Sequence, residues 1–193
     1  MDSDSTIDEY VRLLDSWNSK MNLVRSDGAL DIVDRHVRDS QQICNYIDLR
    51  SAVLDVGSGA GFPGVILSIC GFERVILCEN NFKRSTFLND VKERLELKFD
   101  ILSESVYKLR VDDCVSRGIS SDVTMVSRAF GSLVELMTIM HMLEIRNGVF
   151  HKGRNYSAEV QDAGKKFEFD LQTEKSATSN DGVIVLVSNL ERK

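Results

Sequence analysis

Val53-Leu54-Asp55-Val56-Gly57-Ser58-Gly59-Ala60-Gly61-Phe62-Pro63-Gly64 runs from a short apolar strand through a glycine-dense turn into the start of a helix. That succession decides the fold class, because a strand, a tight turn and a helix in immediate order are the unit from which open α/β sheets are built. Glycines in the turn accept positive φ and let the backbone approach a ligand with no Cβ in the way. A helix opening there offers unpaired N–H groups. Pro63, the one proline of the chain, suits a first helical turn, where its missing N–H costs nothing. The stretch marks a nucleotide-type cofactor site.

Two cofactor classes compete for it. Residues 59 to 64 satisfy the dinucleotide pattern GxGxxG, and Glu79 lies about twenty residues beyond its start, as that pattern asks. The stretch Asp55-Val56-Gly57-Ser58-Gly59-Ala60-Gly61, an acid at the strand end followed by alternating glycines, instead resembles motif I of S-adenosylmethionine-dependent methyltransferases. Such a ligand has a cationic methionyl part that Asp55 can favour and a ribose diol that Glu79 can bind. It has no pyrophosphate for a helix N-terminus to hold.

With 193 residues and 42% hydrophobic content, the chain can bury one sizeable core, so a single domain is expected over 1–193, with a helical extension over 1–50 and a cofactor-binding core over 51–193. No run approaches the roughly 20 apolar residues of a membrane-spanning helix, and the acidic start Met1-Asp2-Ser3-Asp4 is unlike a signal peptide. The expected protein is cytoplasmic and monomeric and makes no membrane contact. Cys44, Cys70, Cys78 and Cys114 form no CxxC pair, and His36, His141 and His151 are scattered, so buried thiols and no metal site are expected.

From residue 52 onward strands alternate with helices. The expected strands are Ala52–Val56, Arg74–Cys78, Phe99–Leu102, Val123–Val126 and Gly148–His151, with Gly182–Val187 and Phe167–Asp170 as a final pair. Helices are expected at Gly64–Ile69, Lys83–Leu97 and Leu133–Leu143, and the region before residue 50 is helical, with Ile7, Val11 and Leu14 on one face and Trp17 as a packing anchor. Flexible pieces are expected in the first five residues, Val111–Ser121 and Thr173–Asp181. Asp55, Glu79, Ser127 and Lys152 all fall at carboxyl ends of strands, where ligands bind in open parallel sheets.

A net charge of −6 argues against wholesale attraction to nucleic acid but leaves room for local basic faces. Arg25, Arg35, His36 and Arg38 form one cluster, Lys83 and Arg84 a second, and His151, Lys152 and Arg154 a third. Each alone reads more readily as a solvated surface. Arg35-His36 with Asp39 also reads as an intrahelical ion pair.

Taken together, the residues resemble the glucose-inhibited division protein B family of bacterial methyltransferases. The motifs that carry the likeness are Trp17-Asn18 with Asn22-Leu23, Arg35-His36 with Asp39-Ser40, the Leu54-to-Gly64 loop, Lys83-Arg84 with Phe87-Leu88, Ser127-Arg128-Ala129, and Lys152-Gly153, in that order over nearly the whole chain. The resemblance implies a Rossmann-like, seven-stranded class I methyltransferase fold, S-adenosyl-L-methionine as donor, and the N7 of a guanine in a loop of 16S ribosomal RNA, free or in the 30S particle, as acceptor. It implies that Asp55, Gly57, Ser58, Gly59, Gly61 and Phe62 line the cofactor, that Glu79 meets the ribose, that Glu104 and Ser105 lie beside the adenine, and that Arg128 closes the site. Arg128, Lys152, Arg35 and His36 are the residues expected to position RNA. The chain departs from the family where Glu79-Asn80 replaces an Asp-Ser pair, where Leu102-Ser103-Glu104-Ser105-Val106 replaces a Gly-Arg-Ala-Glu-Glu run, and where Val111–Ser120 is inserted.

The chemistry asks for no acid or base. Guanine N7 carries a free lone pair at neutral pH, so the enzyme has to align nucleophile, methyl and sulfur and exclude water. Three other readings stay open on the residues alone: a methyltransferase acting on a small molecule or a protein, an NAD-dependent oxidoreductase, and an RNA-binding module without catalysis.

Overall fold

A computed structural model describes residues 2–25, 28–112 and 123–193. One seven-stranded sheet runs through it in the order β3-β2-β1-β4-β5-β7-β6. Its strands are β1 Val53–Val56, β2 Val75–Cys78, β3 Phe99–Leu102, β4 Thr124–Arg128, β5 Asn147–Lys152, β6 Phe167–Lys175 and β7 Val183–Arg192. The pairings β1–β2, β2–β3, β1–β4 and β4–β5 are parallel, while β7 pairs antiparallel with both β5 and β6. The expected strands all appear, shifted by a residue or two at their ends. The terminal hairpin is longer than its sequence suggested.

The order reverses between β1 and β4, so the ends of these strands open a crevice, the usual ligand position in such sheets. Helices cover both faces. Successive residues of a strand point to opposite faces, and β1 divides accordingly: Val53 packs with α4 (Gly64–Ile69) and α5 (Phe82–Arg94), whereas Leu54 and Val56 pack with α6 (Leu133–Met142). A further helix, α7 (Tyr156–Gly164), was not anticipated. Its inward apolar residues are few, with Ala163 buried and Tyr156 and Val160 packed beside it.

The N-terminal region is helical but broken. Helix α1 (Ser3–Met21) starts at once, correcting the expectation of a flexible first five residues, and buries Ile7, Tyr10, Val11 and Leu14 against the α4–α5 face. Trp17 is an anchor: its indole N–H donates to Asp90 Oδ2 at 2.8 Å and its ring meets Phe87 edge-on. After it come α2 (Ala29–Ile32), a π turn (Val33–Val37), α3 (Arg38–Gln42) and a 3-10 turn (Ile43–Tyr46).

Two other expectations change. Helix α5 begins at Phe82, where the Asn81 side chain accepts from the N–H groups of Lys83 and Arg84 at 3.0 and 3.2 Å, and it ends at Arg94 instead of Leu97. The segment read as flexible at Thr173–Asp181 is partly strand, and the turn beyond it is closed by the Ser176 N–H donating to the Gly182 carbonyl at 2.9 Å. Of the expected insertion at 111–120 and the expected flexible piece at 111–121, all but residues 111 and 112 lie outside the described residues. Among the described residues, Cys44, Cys70 and Cys78 form no disulfide.

Candidate cofactor and substrate site

The glycine turn is held by the acid that precedes it. Asp55 is fully buried, and its Oδ2 accepts the Gly64 N–H at 3.0 Å while the Ser58 hydroxyl donates to its carbonyl at 3.0 Å. Gly64 has to be glycine for this contact, since a Cβ there would press on Asp55 Oδ2 and on Leu77. The other oxygen, Oδ1, is buried with no hydrogen-bond partner among the described residues. Burial therefore dominates, pushing the carboxyl up to about 7, with the Gly64 N–H pulling the other way.

Pro63 precedes α4, rather than opening it as expected, and the bond before it is cis. Most donors of this turn bond within the chain. Gly61 N–H and Phe62 N–H go to the Ser58 carbonyl at 2.7 and 3.1 Å, Val65 N–H to the Gly61 carbonyl at 2.7 Å, and Gly64 N–H to Asp55.

Across the crevice, the end of β2 carries Glu79, which is 4% exposed. Its Oε2 accepts the Gly59 N–H at 2.9 Å and its Oε1 the Asn81 N–H at 2.8 Å, so the carboxylate is fixed from two sides. Arg84 Nη1 stands 3.7 Å from Oε2. Glu79, Gly57 and Arg84 border a small open cleft. Glu104, Ser105 and Tyr107 form its far wall, and Ala129 and Phe130 its near one. Gly57, at φ +72°, lies so close to Phe130 that any Cβ would collide with the ring. Tyr107 in turn donates to Glu135.

Beyond the turn, Phe62 is 3% exposed and meets other rings and a cation: Tyr10 at 5.5 Å, His36 at 5.2 Å, and the Arg128 guanidinium carbon 4.8 Å from its centroid. Tyr10 itself donates to the Ala60 carbonyl at 2.5 Å, tying α1 to the turn. Arg128, at the end of β4, donates through Nη1 to the Arg35 carbonyl at 3.3 Å and faces Asp39 Oδ2 at 3.8 Å. His36 Nε2 pairs with the Arg25 carbonyl at 3.3 Å. Burial, reinforced by nearby Arg128, holds the His36 imidazole below its ordinary range, and burial does the same to His151.

The basic clusters converge in part. His36 and Arg128 share the Phe62 ring, and Arg84 reaches the cleft. The Arg35 side chain points to solvent and pairs with Asp31 at 2.5 Å, one turn before it, and Arg38 pairs with Asp34 at 2.9 Å. Lys152 is turned inward, its ammonium 2.8 Å from Glu159 Oε2 and donating to the Gly131 carbonyl at 2.9 Å. Arg154 is taken by Asp181 at 2.6 Å. Sequence reasoning missed Asp39 as a partner of Arg128 and His151, Phe130 as the wall behind Gly57, and Tyr10 beneath the turn. Among the described residues, no cluster of His, Cys, Asp and Glu could hold a metal ion, and no helix is long and apolar enough to cross a membrane.

Known proteins match this arrangement. The family model for rRNA small subunit methyltransferase G matches residues 3–184. A ribosomal RNA small subunit methyltransferase G of Orientia tsutsugamushi is 33% identical over 179 residues, covering 92% of this chain and 86% of its own. The protein of the same name from Rickettsia felis is 30% identical over 185 residues, covering 95% and 92%. Among solved structures, the 16S rRNA methylase RmtB superposes with a TM-score of 0.60 at 15% identity, covering 95% of this chain and 74% of its own. A SAM-dependent methyltransferase from Aquifex aeolicus superposes at 0.59 with 12% identity, covering 93% and 97%. At such identities these two likenesses speak for the fold.

Proposed function

The chain belongs to the rRNA small subunit methyltransferase G family, and from that premise we propose that it transfers a methyl group from S-adenosylmethionine to the N7 of a guanine in small-subunit ribosomal RNA. The observation that carries the cofactor class is that the Gly59, Gly61, Phe62, Gly64 and Val65 N–H groups of the glycine turn are used within the chain. A pyrophosphate at this position would need free N–H groups, and Glu79, Asp55 and the Ser58 and Gly61 carbonyls hold these five. That favours a cofactor without a pyrophosphate.

The residues fit S-adenosylmethionine. Glu79, held by two backbone N–H groups, presents a carboxylate at the cleft that can take the ribose diol, and Glu104 and Ser105 border the space for the adenine. Asp55 Oδ1, buried without a partner, gains from a cation brought near it. When bound, the cofactor supplies an electrophilic methyl group on a sulfonium. The chain has to align an acceptor with it and keep water out; such positioning is worth roughly 7 to 11 kcal/mol in ideal cases. Guanine N7 carries its own lone pair and needs no base. Arg128, its guanidinium carbon over the Phe62 ring, is the side chain to meet the guanine O6 or a flanking phosphate, leaving N7 free. Lys152 pairs with Glu159, which supports a part for it in holding β5 to α7 rather than in touching RNA.

The test is transfer of labelled methyl from S-adenosylmethionine to small subunits, and to their stripped RNA, from cells lacking the enzyme. Label at one guanine N7 is the expected result. Cofactor binding with no label on either form would return the assignment to a methyltransferase of another substrate.

A further inference from the structure

Asp39 lies in α3, outside the cleft, yet its two carboxylate oxygens reach in different directions. Oδ1 accepts from Thr178 Oγ1 at 2.9 Å, Ser176 Oγ at 3.2 Å and Gln42 Nε2 at 3.3 Å. Gln42 completes that contact by accepting the Ala177 N–H at 2.7 Å, so the turn between β6 and β7 is fastened to the helical extension. Oδ2 faces Arg128 Nη1 at 3.8 Å and His151 Nε2 at 3.6 Å. Arg128 and His151 are register partners on neighbouring strands, and His151 Nε2 also bonds the Asp39 carbonyl at 2.9 Å.

We propose that Asp39 is a positioning residue for methyl transfer: Oδ2, with the Arg35 carbonyl, holds one edge of the Arg128 guanidinium so that the group lies on Phe62 with its other edge toward the substrate. The proposal rests on Arg128 meeting the RNA. An arginine has a long, freely rotating stem and five N–H donors in a rigid fork, so its direction has to be set by partners. Here Nη1 makes both contacts, on one side of the fork, while the guanidinium carbon stands over the Phe62 ring. All three elements involved are fixed: Phe62 by the glycine turn, Arg128 by β4, and Asp39 by the β6–β7 turn on its other oxygen. The division of labour between the two oxygens separates a positioning role from a purely structural one.

The experiment compares Asp39→Asn, Asp39→Glu and the double variant Ser176→Ala/Thr178→Ala with the wild type, measuring methyl transfer to small subunits, S-adenosylhomocysteine affinity and thermal midpoint. Asp39→Asn keeps an oxygen for the two hydroxyls but removes the charge facing Arg128. Its kcat should fall at least about 10-fold, as small misplacements in a site do, with the S-adenosylhomocysteine affinity within about 2-fold of wild type. Asp39→Glu restores the charge at a displaced position and should recover part of the loss. The hydroxyl double variant should lower the midpoint while leaving kcat within about 2-fold. In an Arg128→Ala background, Asp39→Asn should cost nothing further. A wild-type kcat in Asp39→Asn, an equal loss in the hydroxyl variant, or full additivity with Arg128→Ala overturns the proposal. Should Asp39→Asn fail to fold, equal inactivity of a folded Asp39→Glu and a folded hydroxyl double variant overturns it as well. A wild type that labels no RNA sinks the substrate assignment, and this proposal with it, in a way no variant result can mimic.

Discussion

Replacing Asp55 by Asn should change how stability depends on pH in a direction the burial of that carboxyl dictates. In the folded chain Asp55 is fully buried, with one oxygen on the Gly64 N–H and the other unpartnered, and its pKa is raised from 3.8 to about 7. The unfolded chain ionises near pH 4. Below that pH the group is neutral in both states and contributes no difference. Between about 4 and 7 the folded state holds a proton that the unfolded state has lost, so stability drains away as pH rises, at about 1.4 kcal/mol per unit. The full loss is on the order of 4 kcal/mol by pH 8. Asn keeps an oxygen for the Gly64 N–H and cannot ionise. Urea unfolding of both proteins at intervals from pH 4.5 to 8 reads the difference, and the other titrating groups cancel between them. Asp55→Asn should gain on the wild type steadily across that window and level off above it. A difference that does not move with pH would mean that the native carboxyl is ionised throughout, and the account of the buried turn would be wrong.

Glu79→Ala removes the carboxylate that fits the ribose and strips the acceptor from the Gly59 and Asn81 N–H groups, so calorimetry should show S-adenosylmethionine binding weakened by roughly 1.5 to 3 kcal/mol, together with a lower thermal midpoint. Wild-type affinity would refute the ribose assignment. Lys152→Ala should cost about 1 to 2 kcal/mol in urea unfolding, less than the 3–5 of a fully buried pair because Glu159 is 27% exposed, and should leave the salt dependence of RNA binding unchanged. A reduced salt slope would return Lys152 to the RNA surface. Phe62→Ala should cost about 3 to 5 kcal/mol, since the ring fills a site bounded by Tyr10, His36 and Arg128, and a smaller loss would show that the turn collapses onto the gap.

What the sequence made legible is local. The strand, turn and helix over Val53–Gly64, the acid twenty residues on, and the alternation of elements needed nothing beyond spacing, and they located the crevice. What stayed hidden depended on long-range contacts. Asp39 bonds residues 112 and 139 positions away, so in the sequence it reads only as the last member of a helical Arg-His-x-x-Asp run. Lys152 shows the opposite limit. A cation at a strand end reads as a ligand contact until the fold brings Glu159 against it. Helix α7 was missed because it presents few apolar residues inward, which gives periodicity little to work with. Arg35 paired within its own helix, but with Asp31 before it and not with Asp39 after it.

These pairings bear on how a chain of net charge −6 can act on RNA. Of the cations that stand out in the sequence, Arg35, Arg38, Lys152 and Arg154 each face a carboxylate within ion-pair distance, so the attraction available to phosphates is short-ranged. Compensation also suits the proposed reaction. A guanine methylated at N7 carries a positive charge, and an uncompensated guanidinium about 4 Å away would oppose it by ~4 kcal/mol at the effective dielectric of a partly exposed site. Asp39, 3.8 Å from the Arg128 Nη1, offsets much of that repulsion. The guanidinium can then direct a hydrogen bond to the base without penalising the charge that the base acquires. A bare basic pocket would bind the RNA more tightly and release the product more readily, yet it would raise the barrier between them.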